Sequence, residues 1–217
     1  MGARYTLVLA SASPARRRVL RCAGIEPEVI VSGVDESSVE YADAEQLCAT
    51  LARLKAEAVV LAVAASTAAG NTASVRPVAV LGCDSVLEFA GEVFGKPADE
   101  AEAIRRWRRL RGHSGVLRTG HCVIDVLTGR VAESVAGTTV HFADISDAEI
   151  ATYVATGEPL RVAGAFTIDG LGGWFIERID GDPGNVIGVS LPVLRRLLAE
   201  IGVGVDDLWS ASLTSVA

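Results

Sequence analysis

Hydrophobic and polar positions change period several times along the chain, and each change marks an element. Tyr5 to Ala10 (YTLVLA) is an apolar run of strand length, which predicts a short buried strand. It opens into Ser11-Ala12-Ser13-Pro14, where Ser before Pro suits a helix N-cap and first turn. That helix carries Arg16 to Ala23 and stops at Gly24. Glu28 to Val31 predicts a second strand. Ala44 to about Ala65 is Ala- and Leu-rich with helical spacing, a long helix, and residues 66–77 (STAAGNTASVRP) read as a low-complexity, mobile loop. Val78 to Cys83 (VAVLGC) is a continuous apolar strand, and Val86 to Phe89 with Val93-Phe94 predicts a hairpin through Ala90-Gly91-Glu92. Asp99 to Glu102 opens a helix to Leu110. Leu117 to Val126 and Arg130 to Phe142 pair about Thr128-Gly129. Ser146-Asp147-Ala148-Glu149 is a capping box for a helix ending near Gly157. A Gly-rich stretch from Gly164 to Gly188 contains one expected strand, Trp174 to Ile179. Leu191 to Ile201 is a final helix, and the residues after Gly202 read as a loose tail. Strands alternate with helices early and hairpins dominate the middle, so the expected class is α/β with a mixed sheet.

Composition narrows the functional classes. The 217 residues are 50% hydrophobic and only 5% aromatic, enough Ala, Val, Leu and Ile for a packed core. A formal charge of −7 argues against non-specific nucleic-acid binding. Cys22, Cys48, Cys83 and Cys122 form no C-x-x-C pair and read as small buried residues of a reducing cytosol. The three histidines make no H-E-x-x-H motif. Ala10-Ser11-Ala12 follows too short an apolar stretch for a signal peptide. Met1 to Thr6 fits the myristoylation pattern but also reads as the start of a strand. No stretch matches a membrane span, so a soluble cytoplasmic protein is expected.

Four local features could carry chemistry. Asp84 follows the apolar run VAVLGC, and a charge at the end of a buried strand is where open α/β folds place ligand chemistry. Ser85 beside it either meets a ligand or satisfies a turn. Of the 20 basic residues, the lysines are Lys55 and Lys96 alone. Lys reaches a single phosphate oxygen where the planar fork of Arg does not fit. Ser11, Ser13 and Arg16 at a strand-to-helix junction make an anion cradle. Asp35-Glu36 are adjacent carboxylates suited to a hard cation.

Familiar alternatives fail on spacing. Gly91 to Lys96 has three residues between its glycines where a P-loop has four, and Pro97 stands where Ser or Thr belongs. Ser114 in Gly112-His113-Ser114-Gly115 is one residue short of a nucleophile elbow. In Arg105 to Arg111, Ile104, Trp107 and Leu110 form one buried stripe, leaving the arginines as a solvated face.

The order Ser-x-Ser-Pro, Asp-Glu, helical Lys, strand Asp, Gly-Lys-Pro resembles the Maf family, the septum-formation inhibitor proteins. The resemblance runs from Leu7 to about Leu198 through LASASPARRRVL, VDE, LKAEAV, GCDSV, GKP and GEPLRVAGAFTIDG. It implies an elongated two-lobed fold around a central cleft, similar to inosine triphosphatases. The implied activity is nucleoside triphosphate pyrophosphatase, a hydrolase of acid anhydrides. It would cut canonical or modified nucleotides between the α- and β-phosphates.

By the same resemblance, Asp84 is the catalytic carboxylate. Lys55 and Lys96 hold the triphosphate, Ser11 and Arg16 match the phosphate cradle, and Glu36 joins Asp84 at a divalent metal. The metal expected is Mg2+, with Mn2+ or Co2+ as alternatives. Arg16, Ser85 and Asp169 fall at positions linked to the choice of base. Homodimers are common in the family, and no nucleic-acid or membrane partner is expected. The chain departs from the family pattern at Ala15, at Cys83 and Ser85 flanking Asp84, and at Asp169, where many members have Gln. An ionised carboxylate accepts hydrogen bonds but donates none. The rival readings are a nucleotide-sensing regulator of cell division without catalysis and a phosphatase that removes the γ-phosphate.

Overall fold

The computed structural model describes residues 5–68 and 76–209. In chain order the strands are β1 (Thr6–Leu9), β2 (Glu28–Val29), β3 (Val78–Phe89), β4 (Glu92–Phe94), β5 (Ser114–Asp125), β6 (Val131–Phe142) and β7 (Ile176–Asp180). The helices are α1 (Pro14–Cys22), α2 (Ala44–Ala68), α3 (Glu100–Leu110), α4 (Asp147–Ala155), α5 (Pro183–Ile187) and α6 (Leu191–Ile201). The strands form one mixed sheet in the order β2-β1-β3-β5-β6-β7, with β4 also on β3. β1 is parallel to β2 and to β3, and the remaining pairs are antiparallel.

The start signals act as expected. Ser13 caps α1 with Pro14 in its first turn, Asp99 caps α3, and Ser146 with Glu149 closes a capping box on α4. The stripe of α3 is buried at Trp107 and Leu110. Around it, Arg108 and Arg111 pair with Asp147, and Arg109 pairs with Glu92.

Several expectations are corrected. Val78–Cys83 and Val86–Phe89 are one strand of 12 residues, so Asp84 lies mid-strand. Its charge does not break the strand because α2 supplies a counter-ion. The second expected strand pairs only over Glu28–Val29. The strand expected from Trp174 begins at Ile176. Of the expected loop 66–77, residues 66–68 continue α2, and 69–75 lie outside the described residues. The tail is held as far as Trp209, because Val203 and Leu208 complete the core around Leu7, Leu20 and Leu198. Trp209 Nε1 also donates to Ala23 O at 3.1 Å. Residues 210–217 lie outside the described residues. Cys22 is exposed, whereas the other three cysteines are buried, with thiols pushed up to about 12 by burial.

Side chains alternate across the sheet, and that divides the molecule. Even-numbered β3 residues face α2, which packs on Val80, Cys122 and Ile124. On the opposite face, Ala79, Leu81 and Cys83 join a core with α6, while Leu87 and Phe89 join a second core with α3 and α4. Between these two cores the same face is polar: Ser85 on β3, Thr119 on β5 and Thr138 on β6, with Asn185 of α5 over them. The two lobes are these cores, strung on shared long strands.

Candidate active site

A strand has two hydrogen-bonding edges. One edge of β3 is taken by β5 from Ala79 to Glu88. The other is shared: β1 pairs with it as far as Leu81, and β4 from Leu87 onward. Six residue steps separate those pairings, about 20 Å of extended chain. Asp84 and Ser85 sit in this interval. The cradle after β1 forms one wall, and Gly95-Lys96-Pro97 after β4 forms the other.

On one face the site is built by close approach of a helix. A Cβ on Gly82 would overlap Ala52 O, and one on Gly120 would overlap Cys48 O. These glycines, on neighbouring strands, let α2 lie directly on the sheet. Lys55 is one turn beyond Ala52 and therefore reaches Asp84, its Nζ 2.5 Å from Oδ1. The same Nζ is 2.6 Å from Glu36 Oε1. Burial pushes the Asp84 carboxyl above its ordinary pKa, opposed by the charges of Lys55 and Arg16. The expected carboxylate pair separates in role. Asp35 caps a 3-10 turn by accepting from Ser37 N at 3.0 Å and Ser37 Oγ at 2.7 Å, which leaves Glu36 for Lys55.

The opposite face is organised by Arg16. Its buried guanidinium donates to Gly188 O at 3.1 Å, Ser11 Oγ at 3.0 Å and Ser85 Oγ at 3.1 Å. Thr119 Oγ1 donates to Asn185 O at 2.9 Å, so it accepts from Ser85 Oγ, also at 2.9 Å. The result is a directed relay from Arg16 through Ser85 and Thr119 to the α5 backbone. Next along β5, His121 Nδ1 donates to Thr119 O at 3.0 Å, and Nε2 accepts from Ser190 N at 2.9 Å. The partners fix the neutral tautomer, and burial pushes its pKa down to about 4.

The structure therefore brings together Asp84, Lys55 and Glu36 on one face and Ser11, Arg16 and Ser85 on the other. Ser13 is spent on the helix, its Oγ accepting from Arg16 N at 3.4 Å. Lys96 is exposed on the far wall and contacts none of them. Asp169 pairs with Arg18 of α1. Ser114 does touch His141, at 2.7 Å, and His141 touches Asp180 at 2.8 Å. However, these are neighbours on the exposed face of β5, β6 and β7, and Arg178 also holds Asp180.

Sequence reasoning passed over Thr119, His121, Asn185 and the pair Gly82 and Gly120. An isolated glycine inside a strand pattern is a signal of close backbone approach, and it was available at both glycines. Thr119 and Asn185 look ordinary in sequence because their role depends on α5, which has five residues and no periodic pattern.

The donor set suits a hard cation. Glu36 Oε1 and Asp84 Oδ1 both contact one ammonium nitrogen, so they lie within about 5 Å of each other. Among the described residues there is no group of three or more His, Cys, Asp or Glu that could hold a metal alone. Carboxylate oxygen is the ligand type that a hard divalent cation takes.

Known proteins match this chain along nearly its whole length. The family model for "Maf-like protein" matches residues 6–201. A nucleoside triphosphate pyrophosphatase of Salinispora tropica is 65% identical over 204 residues, covering 94% of this chain and 87% of that protein. The nucleoside triphosphate pyrophosphatase of Streptomyces avermitilis is 52% identical over 207 residues, 95% and 96% of the two chains. That of Nocardia farcinica is 51% identical over 212 residues, 94% and 96%.

Proposed function

The chain belongs to the Maf family, and from that premise we propose that it is a nucleoside triphosphate pyrophosphatase releasing nucleoside monophosphate and pyrophosphate. The observation that carries the reading is the lysine clasped by two carboxylates at a break in the strand edge, with a buried arginine and two hydroxyls on the other face. Such a site answers the needs of phosphoanhydride cleavage, which are positive charge, in-line positioning and one base.

Asp84 accepts the proton of a water directed in line at the α-phosphorus. Its Oδ1 is held by Lys55, which leaves Oδ2 for that proton, and burial brings its pKa nearer the range useful at neutral pH. The bond from the α-phosphorus to the bridging oxygen breaks, and pyrophosphate departs. Lys55 and, from the far wall, Lys96 offset the charge on the leaving group. Arg16 spends three of its five N–H donors on the protein and keeps two for phosphate oxygen. Glu36 and Asp84 would hold Mg2+, with Mn2+ or Co2+ as substitutes. When bound, the ion supplies charge neutralisation to the triphosphate. We place the activity with the nucleotide diphosphatases that act on acid anhydrides.

Purified protein incubated with a panel of canonical and modified triphosphates and Mg2+ tests the reading. Monophosphate and pyrophosphate in equal amounts are the expected products. Diphosphate with inorganic phosphate would instead identify a γ-phosphatase, and tight binding without any product a nucleotide sensor.

A further inference from the structure

Glu158 stands outside the catalytic cluster, yet its carboxylate takes four donors. Oε1 accepts from Tyr153 Oη at 2.9 Å, Thr167 Oγ1 at 2.7 Å and Gly172 N at 2.9 Å, and Oε2 accepts from Leu171 N at 3.0 Å. Three of the four belong to the Thr167–Gly172 loop. The fourth, Tyr153, is anchored edge-on against Trp107 in the second core, with ring centroids 5.5 Å apart. Desolvation alone would raise the Glu158 pKa, but the hydrogen bonds outweigh it and hold the carboxyl low. The loop is shaped to this clamp. A Cβ on Gly170 would stand 2.5 Å from Glu158 Oε2, and one on Gly172 would stand 2.7 Å from both Thr167 N and Thr167 O. Nothing larger than glycine fits at either position without moving the carboxylate or the backbone.

The clamped loop has a consequence at the other lobe. It carries Asp169, whose carboxylate pairs with Arg18 of α1, the helix that also carries Arg16. The pair joins the lobe containing α3 and α4 to the wall that bears the phosphate cradle. We propose that Glu158 is a positioning residue: it fixes the Thr167–Gly172 loop so that Asp169 meets Arg18, and thereby sets the spacing of the cleft walls for a nucleoside triphosphate. The proposal rests on the pyrophosphatase reading for its substrate, but not for the clamp itself.

Glu158→Gln is the discriminating variant. Glutamine keeps one oxygen for the three donors at Oε1 but sets an N–H2 against the Leu171 N–H, so the loop loosens while the core stays packed. Hydrogen exchange at Leu171 and Gly172 should accelerate about tenfold or more with little change in melting temperature. KM for the triphosphate should rise about tenfold, with kcat within roughly threefold of wild type. Arg18→Gln should raise KM to a similar degree, and the double variant should be no worse than the poorer single one. Unchanged KM in folded Glu158→Gln overturns the proposal, as do effects that multiply in the double variant or a loss confined to kcat. If Glu158→Gln does not fold, Thr167→Val removes one donor and is read by the same criteria. Should wild type release no pyrophosphate, the functional reading fails on its own. The clamp is then judged by loop exchange and by calorimetric binding of a non-hydrolysable triphosphate, where an unchanged Kd in the variant overturns it.

Discussion

A buried carboxylate serves as a base only if its charge is held in place and one oxygen stays available. Asp84 is held by Lys55 through Oδ1, and in the proposed reaction Asp84→Asn keeps the shape while removing the proton acceptor. That variant should fold normally and lose about 10²–10⁴-fold in kcat, the usual share of a positioned general base. Pyrophosphate release alongside a thermal melt measures both. His121 sets a different prediction. Its folded pKa is pushed down to about 4, whereas an unfolded histidine titrates near 6.5. Between those values the unfolded chain binds the extra proton, so the contribution to stability is full above pH 6.5 and is lost as pH falls towards 4. The loss is about 3 kcal/mol at most. Urea unfolding between pH 7 and pH 5 should show this slope in wild type, and His121→Gln should flatten it. Equal slopes in the two proteins would remove His121 from the account.

Among the elements, the junction of α2 with β3 and β5 decides whether a catalytic site exists. Helix and sheet meet over two glycines, and the meeting places Lys55 against Asp84. Gly120→Ala forces a methyl into the Cys48 carbonyl, so α2 must lift or the strands must shift. We expect a cost of about 1–3 kcal/mol, typical of overpacking, and a fall in kcat larger than that of an exposed control with room for a Cβ such as Gly137→Ala. A melt with normal kcat and normal stability would show that the approach is looser than the structure has it. Helix starts were legible because capping is local: Ser13, Asp99 and Ser146 each bond a backbone N–H within their own turn. The length of β3 was not. Asp84 looks like a strand terminator until the counter-ion 29 positions earlier in the chain is seen beside it.

For the molecule as a whole, the balance of charge bears on partners. The arginines of α3 and its C-cap suggest a nucleic-acid surface when read alone, but Arg108, Arg109 and Arg111 are paired with Asp147 and Glu92. With a formal charge of −7, the chain should show no DNA retention at physiological salt. Salt-sensitive retardation of duplex or single-stranded DNA would reverse that conclusion. Among the described residues no helix is long and apolar enough to cross a membrane.

Much of the chemistry was already written in the residues. The α/β class follows from periodicity, since that depends on neighbours close in sequence, whereas Asp84, Lys55, Glu36, Arg16 and Ser11 were joined into one set only by the resemblance to the Maf family. The tertiary structure alone decided which of them meet. It put Lys55 between two carboxylates, committed Ser13 to a cap, left Lys96 on a separate wall and tied Asp169 to Arg18. It also recruited Thr119, His121, Asn185 and Glu158, whose partners lie between 2 and 69 positions away. Periodicity reports which face of an element is buried. It carries no information on which two faces are pressed together, and it is that contact which makes a site.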